Sequence, residues 1–151
     1  MTSPVAAAPP LLHGVNPAAV VSALRERASP QRAGDSPRDN KKIALVIEGG
    51  GMRGVYSGGG AVALSHLGLA GTFDAVYATS AGVMNAAYFL SQQPLLGIRV
   101  YYEDLASRRF YSPLRPWKVL DVDYVFDHVV TVSKRLDVAR VLASPSLMPS
   151  T

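Results

Sequence analysis

Two stretches decide how this sequence folds: IALVIEGGGMRG, residues 43–54, and FDAVYATSAGVMN, residues 73–85. In each stretch a short apolar run is followed by small residues, which is typical of a buried parallel strand that ends in a tight turn. Helices are predicted after both turns, the second one beginning at Ala81 and ending at Pro94. The order strand, helix, strand, helix predicts a right-handed parallel crossover and an α/β architecture.

The composition limits the class of protein. A chain of 151 residues has the length of one ordinary domain, and 48% hydrophobic residues allow a buried core. The absence of cysteine excludes disulfides, thiolate metal sites and a cysteine nucleophile. Residues 1–42 hold six Lys or Arg and three Asp or Glu, which accounts for +3 of the net charge of +4. The nearly neutral remainder predicts no polyanion-binding surface, so nucleic acid is not an expected partner.

The chain is predicted to consist of two parts. Residues 1–40 are expected to be a flexible segment with one short helix, capped by Asn16 and with Pro17 in its first turn. Residues 41–151 form the main domain, with further helices at 100–108, 121–130 and 137–143. Three consecutive glycines in its first helix, residues 58–60, predict that something packs very close there. Because a stable sheet usually has three or more strands and only two are predicted, we expect a domain truncated at its C-terminal side.

Signals for targeting and for membranes are weak. The first ten residues have no basic region, which argues against a signal peptide. The uncharged stretch from Ala75 to Ile98 could span a bilayer, but Ser80, Asn85 and Pro94 within it favour a strand, a turn and a buried helix. We expect a cytoplasmic protein, with peripheral membrane contact as an open alternative. An amphipathic rim for such contact, weighed against a partly buried helix with a solvated basic side, would comprise Tyr101, Tyr102, Arg108, Arg109, Arg115, Trp117 and Lys118.

Both small-residue loops leave the carboxyl end of a strand and open a helix, so they are expected at the same edge of the sheet. In the second loop, Ser80 lies between the small residues Ala78 and Gly82, as a serine on a sharp strand-to-helix turn requires. The alternative is that Ser80 only caps the following helix. The triple glycine of the first loop can point several backbone amides at a bound oxygen, and a serine nucleophile needs such donors within reach.

The same glycines also allow a nucleotide-binding interpretation. Gly49, Gly51 and Gly54 fit the dinucleotide fingerprint, and Asp74 follows 20 residues after Gly54. A ribose-binding acid belongs at the far end of the second strand, however, whereas Asp74 is at its beginning. This interpretation is therefore kept only as a minor alternative.

The two motifs in this order, EGGGMRG at 48–54 and YATSAGVMNAAYFLS at 77–91, resemble the patatin-like phospholipase family. Residues 121–145 are similar to its bacterial members. The resemblance implies a three-layer α/β/α fold with a mostly parallel sheet, and serine-dependent hydrolysis of acyl esters, usually of lipids, without a cofactor. It implies that Ser80 is the nucleophile in a turn formed with Ala78, Thr79, Ala81 and Gly82. It also implies that the oxyanion hole is formed by amides of Gly49, Gly50, Gly51 and Met52, with Arg53 and Gly54 completing the loop.

The catalytic base is the missing part of this interpretation. Family members use a Ser–Asp dyad whose aspartate lies downstream in an Asp-Gly-Gly or Asp-Gly-Ala motif, and none of the aspartates in this chain precedes a glycine. We therefore expect little or no turnover from the 151 residues, because a serine without its base is a weak nucleophile. A triad using His128 with Asp104, Asp121 or Asp123 is a minor alternative. No metal site is predicted. The alternative function is a non-catalytic lipid- or acyl-binding module, or a degenerate fragment.

Overall fold

A computed structural model of the chain describes residues 16–29, 40–115 and 117–146. The chain divides into two units, Met1–Pro37 and Arg38–Thr151. The first unit contains helix α1, Pro17–Ala28. The predicted cap is confirmed, because the side-chain oxygen of Asn16 accepts hydrogen bonds from the amides of Ala18 and Ala19 at 3.1 and 3.3 Å. Residues 1–15 and 30–39 lie outside the described residues, so the expected flexibility of this segment stays a prediction.

The second unit contains the predicted parallel strand pair. Strand β1 is Ala44–Ile47 and strand β2 is Ala75–Ala78, with Ala44 opposite Ala75 and Ile47 opposite Ala78. Helix α2, Gly54–His66, connects the two strands, and helix α3, Ala81–Leu90, follows the second. The α/β class with a parallel sheet is thus confirmed. The membrane-spanning alternative for Ala75–Ile98 is wrong, because that stretch is divided among β2, α3 and the next helix.

The C-terminal half is helical, with two unpredicted features. Pro94 does not simply end a helix, because it begins helix α4, Pro94–Arg99, where a fixed φ suits the first turn. Helix α4 continues as a π-helical segment, Val100–Leu105. Helix α5, Val122–Tyr124, likewise continues as a π-helical segment, Val125–Ser133, and helix α6 is Val138–Leu142. In the described part of the chain, no helix has both the length and the apolar character that a bilayer crossing requires.

The main core lies between α3 and the helical C-terminal half. It is formed by Tyr88, Val100, Tyr101, Leu105, Phe110, Val125 and Val129. The Tyr88 hydroxyl donates to the carbonyl oxygen of Lys134 at 2.5 Å. Burial, together with the nearby Asp104 carboxylate, raises the pKa of Tyr88 to about 12. The Lys134 ammonium is also buried and pairs with Asp104 at 2.5 Å and with Glu103 at 2.9 Å, so its charge is compensated inside the fold.

The glycines of α2 allow close packing at some positions and not at others. A Cβ atom at Gly58 would lie 3.2 Å from the side-chain oxygen of Asn85 on α3. One at Gly54 would strike the Tyr101 hydroxyl. At Gly60, however, a Cβ would meet nothing within 4 Å. Close packing of the predicted glycine run is therefore confirmed at Gly58 and absent at Gly60.

One face of the sheet is open. Val46 and Tyr77 are register partners, and their side chains are 70% and 58% exposed. Helix α3 packs on both strands. Parallel sheets are normally covered on both faces, and in the described part of Arg38–Thr151 no helix covers the face that Val46 and Tyr77 share.

Candidate active site

The two small-residue loops meet at the carboxyl edge of the sheet, as the parallel strand order predicts. The amide of Thr79 donates to the carbonyl oxygen of Ile47 at 3.3 Å, which joins the strand ends. A Cβ atom at Gly49 would lie 2.6 Å from the Thr79 carbonyl oxygen and 2.7 Å from the Ser80 Cβ. The backbone of the glycine loop therefore touches the turn that carries Ser80.

A second glycine makes this contact possible from the other side. A Cβ atom at Gly82 would collide with the carbonyl oxygen of Ile47 and lie 3.0 Å from the carbonyl carbon of Glu48. Any side chain at position 82 would thus separate the start of α3 from the end of β1. Small residues are therefore required at positions 49 and 82, because the strand and helix backbones approach closely in this turn.

Ser80 has a strained backbone and a free hydroxyl. Its φ of 51° and ψ of −130° lie in a region that residues with a side chain rarely adopt, and such strain is of order 1–3 kcal/mol. Ser80 occupies the N-cap position of α3, but its side chain makes no capping hydrogen bond. The alternative that it only caps the helix is therefore wrong. The residue is exposed, so its hydroxyl is open to a ligand.

An open depression of about 480 Å³ lies over this edge of the sheet. Ser80 and Thr79 form one side of it, and the glycine loop with the first turn of α2 forms the other. The lining residues are Glu48, Gly49, Gly50, Arg53, Tyr56, Ser57, Thr79 and Ser80. The depression thus contains a serine hydroxyl, a glycine backbone and one cationic side chain.

The glycine loop divides its amides into two groups. The amide of Arg53 donates to the Gly50 carbonyl at 3.1 Å, and that of Gly54 donates to the carbonyls of Gly51 and Met52. Within residues 40–115, the amides of positions 49–52 donate to no protein acceptor. Gly50 and Gly51 have φ of 123° and 59°, which keeps the loop in a conformation that other residues rarely adopt. These four consecutive amides therefore have no protein acceptor within those residues; Gly49 and Gly50 line the depression over Ser80, whereas Gly51 and Met52 do not.

Other residues predicted for the site support it from behind. Gly54 and Gly82 are buried, and the carbonyl oxygen of Ala81 accepts a hydrogen bond from the Tyr101 hydroxyl at 3.3 Å. Ala78 is the last residue of β2. The Met52 side chain lies against a separate depression of about 350 Å³ that Leu105 also lines. These residues shape the backbone of the two loops and do not line the depression over Ser80.

The described residues bring no histidine to this depression. His128 stacks on Tyr124 with ring centroids 5.5 Å apart, and His66 is the last residue of α2. Asp104 pairs with Lys134, and Asp121 pairs with Arg115 and Lys118. The alternative triad on His128 therefore has no structural support. Glu48 is the carboxylate that lines the depression, and within residues 40–115 it forms no ion pair with Arg53.

The position of Asp74 contradicts the nucleotide-binding alternative. Its carboxylate accepts a hydrogen bond from the Ile43 amide at 2.6 Å, and its own amide donates to the Ile43 carbonyl at 2.8 Å. Both contacts are at the amino end of the strands, opposite the glycine loop. Asp74 holds the start of the sheet together and is not positioned for a ribose at the glycine loop.

Sequence reasoning missed the roles of two residues behind the site. For Tyr101 the two alternatives were an exposed rim and a partly buried helix; it is 2% exposed, which supports the buried helix, and burial raises its pKa. Asn85 is 2% exposed and donates to the Gly54 carbonyl at 2.8 Å and to the Ser57 hydroxyl at 3.0 Å. The available signal was a single amide within the otherwise apolar segment VMNAAYF, residues 83–89. Such a residue inside an apolar helix indicates a buried hydrogen bond.

Comparison with known proteins finds a family match and a curated relative. The family model for patatin-like phospholipase matches residues 45–140. "Uncharacterized protein YjjU" of Escherichia coli (strain K12) is 34% identical over 91 residues, which cover 57% of this chain and 25% of that protein. The chain thus spans about a quarter of the length of this curated relative. No solved structure gives a significant match. Because the family match covers more than half of the chain, and both loops of the site lie within it, the chain belongs to the patatin-like phospholipase family.

Proposed function

We propose that this chain carries the nucleophile and the oxyanion hole of a serine hydrolase that cleaves acyl esters of lipids. The observation that supports this most is the Ser80 turn. A strained serine with an uncapped, exposed hydroxyl touches a glycine loop with four unoccupied amides. Strain of this kind persists where the surrounding structure holds it, and it concentrates at functional sites.

In this proposal the Ser80 Oγ attacks the carbonyl carbon of an ester. The carbonyl oxygen takes up the negative charge and is bound by amides of Gly49, Gly50, Gly51 and Met52. Each preorganised donor of this kind contributes roughly 3 kcal/mol to acyl transfer. The Ser80 proton passes to a proton acceptor and from it to the alcohol, which leaves as its carbon–oxygen bond breaks and the carbonyl double bond re-forms. Water then attacks the acyl-serine, which releases the fatty acid and restores the Ser80 hydroxyl.

The proton acceptor is the open part of the proposal. The family resemblance implies a downstream aspartate in an Asp-Gly motif, and the 151 residues contain no Asp-Gly pair. Glu48 lines the depression, but the resemblance gives it no such role. We therefore propose a Ser–Asp dyad that needs a further aspartate, and little turnover by the 151 residues alone.

We also propose a cytoplasmic protein that contacts a lipid surface peripherally. Leu114 and Trp117 support this contact, because each is 91% exposed. Arg115 and Lys118 are next to them in the sequence, and aromatic and basic residues together favour the interface of a membrane. The substrate of such a protein is an acyl ester or a phospholipid.

A fluorophosphonate probe tests the proposed nucleophile. We expect slow labelling of the 151-residue chain at Ser80, read by intact mass and by peptide mapping. The Ser80→Ala variant should not be labelled. Ser133→Ala, which removes an exposed serine from the π-helical segment after α5, should be labelled like the unaltered chain. An unlabelled chain, or labelling that persists in Ser80→Ala, would contradict the proposal.

The second candidate function is non-catalytic binding of lipid or acyl groups, in which the depression beside Ser80 holds an acyl group without cleaving it. It predicts binding to phospholipid vesicles without labelling at Ser80 and without release of fatty acid. Reading the coding sequence past Thr151 separates the two candidates further. An in-frame Asp-Gly-Gly or Asp-Gly-Ala motif supports the hydrolase, and a stop codon supports the binding module.

A further inference from the structure

The helix that leaves the Ser80 turn carries a buried carboxamide. Asn85 is 2% exposed, and its Nδ2 donates to the Gly54 carbonyl oxygen at 2.8 Å and to the Ser57 hydroxyl at 3.0 Å. Burying an amide without hydrogen-bond partners is unfavourable, so these two hydrogen bonds keep the Asn85 side chain in place. Both partners belong to the first turn of α2, directly after the glycine loop.

Ser57 extends these hydrogen bonds to Glu48, at the other end of the glycine loop. Its hydroxyl lies 3.0 Å from the Glu48 carbonyl oxygen and 3.0 Å from that of Gly54. A hydroxyl can accept the N–H of Asn85 while it donates its own proton to the Glu48 carbonyl. The carbonyls of Glu48 and Gly54 flank the loop. One side chain of α3 therefore holds both ends of the glycine loop, directly at Gly54 and through Ser57 at Glu48.

Because Asn85 lies on α3, its hydrogen bonds link the position of the glycine loop to that of Ser80. Asn85 follows Ser80 by five residues on the helix that begins at the Ser80 turn. The packing leaves it little room, because a Cβ atom at Gly58 would lie 3.2 Å from its Oδ1. Within the described residues Oδ1 has no hydrogen-bond partner, so the Nδ2 side of the amide alone makes the link. A movement of the glycine loop away from Ser80 would have to break these contacts.

We propose that Asn85 is a positioning residue that keeps the amides of residues 49–52 facing the Ser80 hydroxyl. This inference rests on the proposed function, in which those amides bind the oxyanion. Asn85 is buried and is not among the residues that line the depression, so it acts through Gly54 and Ser57 and does not contact the substrate. A loop displaced by about 1 Å can lower a rate about 100-fold.

The test compares Asn85→Ala and Ser57→Ala with a matched control, Tyr88→Phe. The control also removes a buried hydrogen bond from α3, but that bond goes to the Lys134 carbonyl, away from the loop. The probe is a fluorophosphonate, and its reaction with Ser80 is separated into a saturating rate constant and an apparent dissociation constant. We expect Asn85→Ala to lower the rate constant about 10- to 100-fold, with the dissociation constant changed by less than about 3-fold. Ser57→Ala should act in the same direction, and the double variant should be no slower than Asn85→Ala.

A second readout does not depend on labelling. In ¹H–¹⁵N spectra, the amide signals of Gly49, Gly50 and Gly51 should shift or broaden in Asn85→Ala and Ser57→Ala and stay unchanged in Tyr88→Phe. Unchanged glycine signals, or an equal loss of rate in Tyr88→Phe, would overturn the inference. If the unaltered chain is not labelled at Ser80, the proposed nucleophile fails, whereas the glycine signals still decide the role of Asn85. If Asn85→Ala does not fold, Ser57→Ala provides the same two readouts.

Discussion

At position 80 the backbone suits glycine better than the residue that is there. The φ of 51° and ψ of −130° cost a residue with a Cβ of order 1–3 kcal/mol, and glycine avoids most of this strain. Part of this gain in stability is offset, because the greater conformational entropy of glycine stabilises the unfolded chain by about 0.4–1 kcal/mol. We therefore expect Ser80→Gly to be more stable than Ser80→Ala by about 1 kcal/mol in urea unfolding. Equal stability of the two variants would contradict a strained turn.

Glu103, which is remote from the site, is expected to make the stability of the fold depend on pH in the acid range. The Glu103 carboxylate accepts from Arg99 at 2.7 Å and pairs with Lys134 at 2.9 Å, and these hydrogen bonds lower its pKa below the usual 4.5. Its stabilising contribution is therefore complete above pH 4.5 and is lost as the pH falls through the lowered pKa.

Glu103→Gln tests this contribution. The free energy of unfolding should fall less steeply below pH 4.5 in Glu103→Gln than in the unaltered chain, as measured by urea unfolding over a pH series. Asp127→Asn is the control, because Asp127 is exposed and forms no ion pair with the other described residues. Identical acid profiles for the unaltered chain and Glu103→Gln would rule out the ion pairs as the cause.

Single residues differ in how far the sequence predicts them. The sharp turn at Ser80 could be predicted because small residues on both sides of a serine between strand and helix are a local signal, while its role as nucleophile stays a proposal. Asn85 and Tyr101 were missed because their roles depend on which neighbour lies beside them. The hydrophobic pattern shows that position 101 is on a helix, but only packing shows that its hydroxyl reaches Gly54 and Ala81.

At the scale of elements, the start of α2 is fixed by contact with the π-helical segment Val100–Leu105. A Cβ atom at Gly54 would strike the Tyr101 hydroxyl and lie 3.2 Å from the Ala81 Cβ. We expect Gly54→Ala to lower the free energy of unfolding by about 1–3 kcal/mol. Tyr101→Phe should recover part of this loss, because it removes the struck oxygen, and a double-mutant cycle measures the coupling.

The matched control for this prediction lies in the same helix. A Cβ atom at Gly60 would meet nothing within 4 Å. Gly60→Ala should therefore be neutral or stabilising by up to about 1 kcal/mol, as expected for alanine in a helix. A loss in Gly54→Ala no larger than the change in Gly60→Ala would show that the contact with Tyr101 does not constrain α2.

Helices and strands near the site were predictable because their signals are local. Apolar runs before glycine gave β1 and β2, and Asp121 and Asp137 marked two helix starts that the structure confirms. The π-helical segments were not predictable, since they preserve an apolar helical face and differ only in hydrogen bonding. Pro94 was misread because proline after a helix is compatible with both an end and a new first turn.

For the whole molecule, the open face of the sheet is the feature that most favours self-association. Val46 and Tyr77 are adjacent in register and are 70% and 58% exposed, and in the described residues the outer edge of β1 pairs with no strand. Exposed apolar strands of this kind favour association. We expect the 151-residue chain to self-associate in sedimentation velocity experiments. The pair Val46→Glu and Tyr77→Lys should reduce this association without lowering the thermal midpoint.

A control pair locates the effect on this face. Val132→Glu and Leu142→Lys replace side chains of similar exposure, 66% and 62%, on other elements. These substitutions should leave association unchanged. A monodisperse, cooperatively melting chain would show that the open face does not cause self-association. An equal effect of the control pair would show that association does not depend on this face.

The proposed hydrolysis requires that the Ser80 hydroxyl and the amides of residues 49–52 act on one carbonyl group. A crystal structure of the chain phosphonylated at Ser80 tests it most directly. We expect the phosphoryl oxygen to lie about 2.7–3.1 Å from two or more of those amide nitrogens. A phosphoryl oxygen that points to solvent with no amide in reach, or a phosphonate bound at another residue, would contradict it.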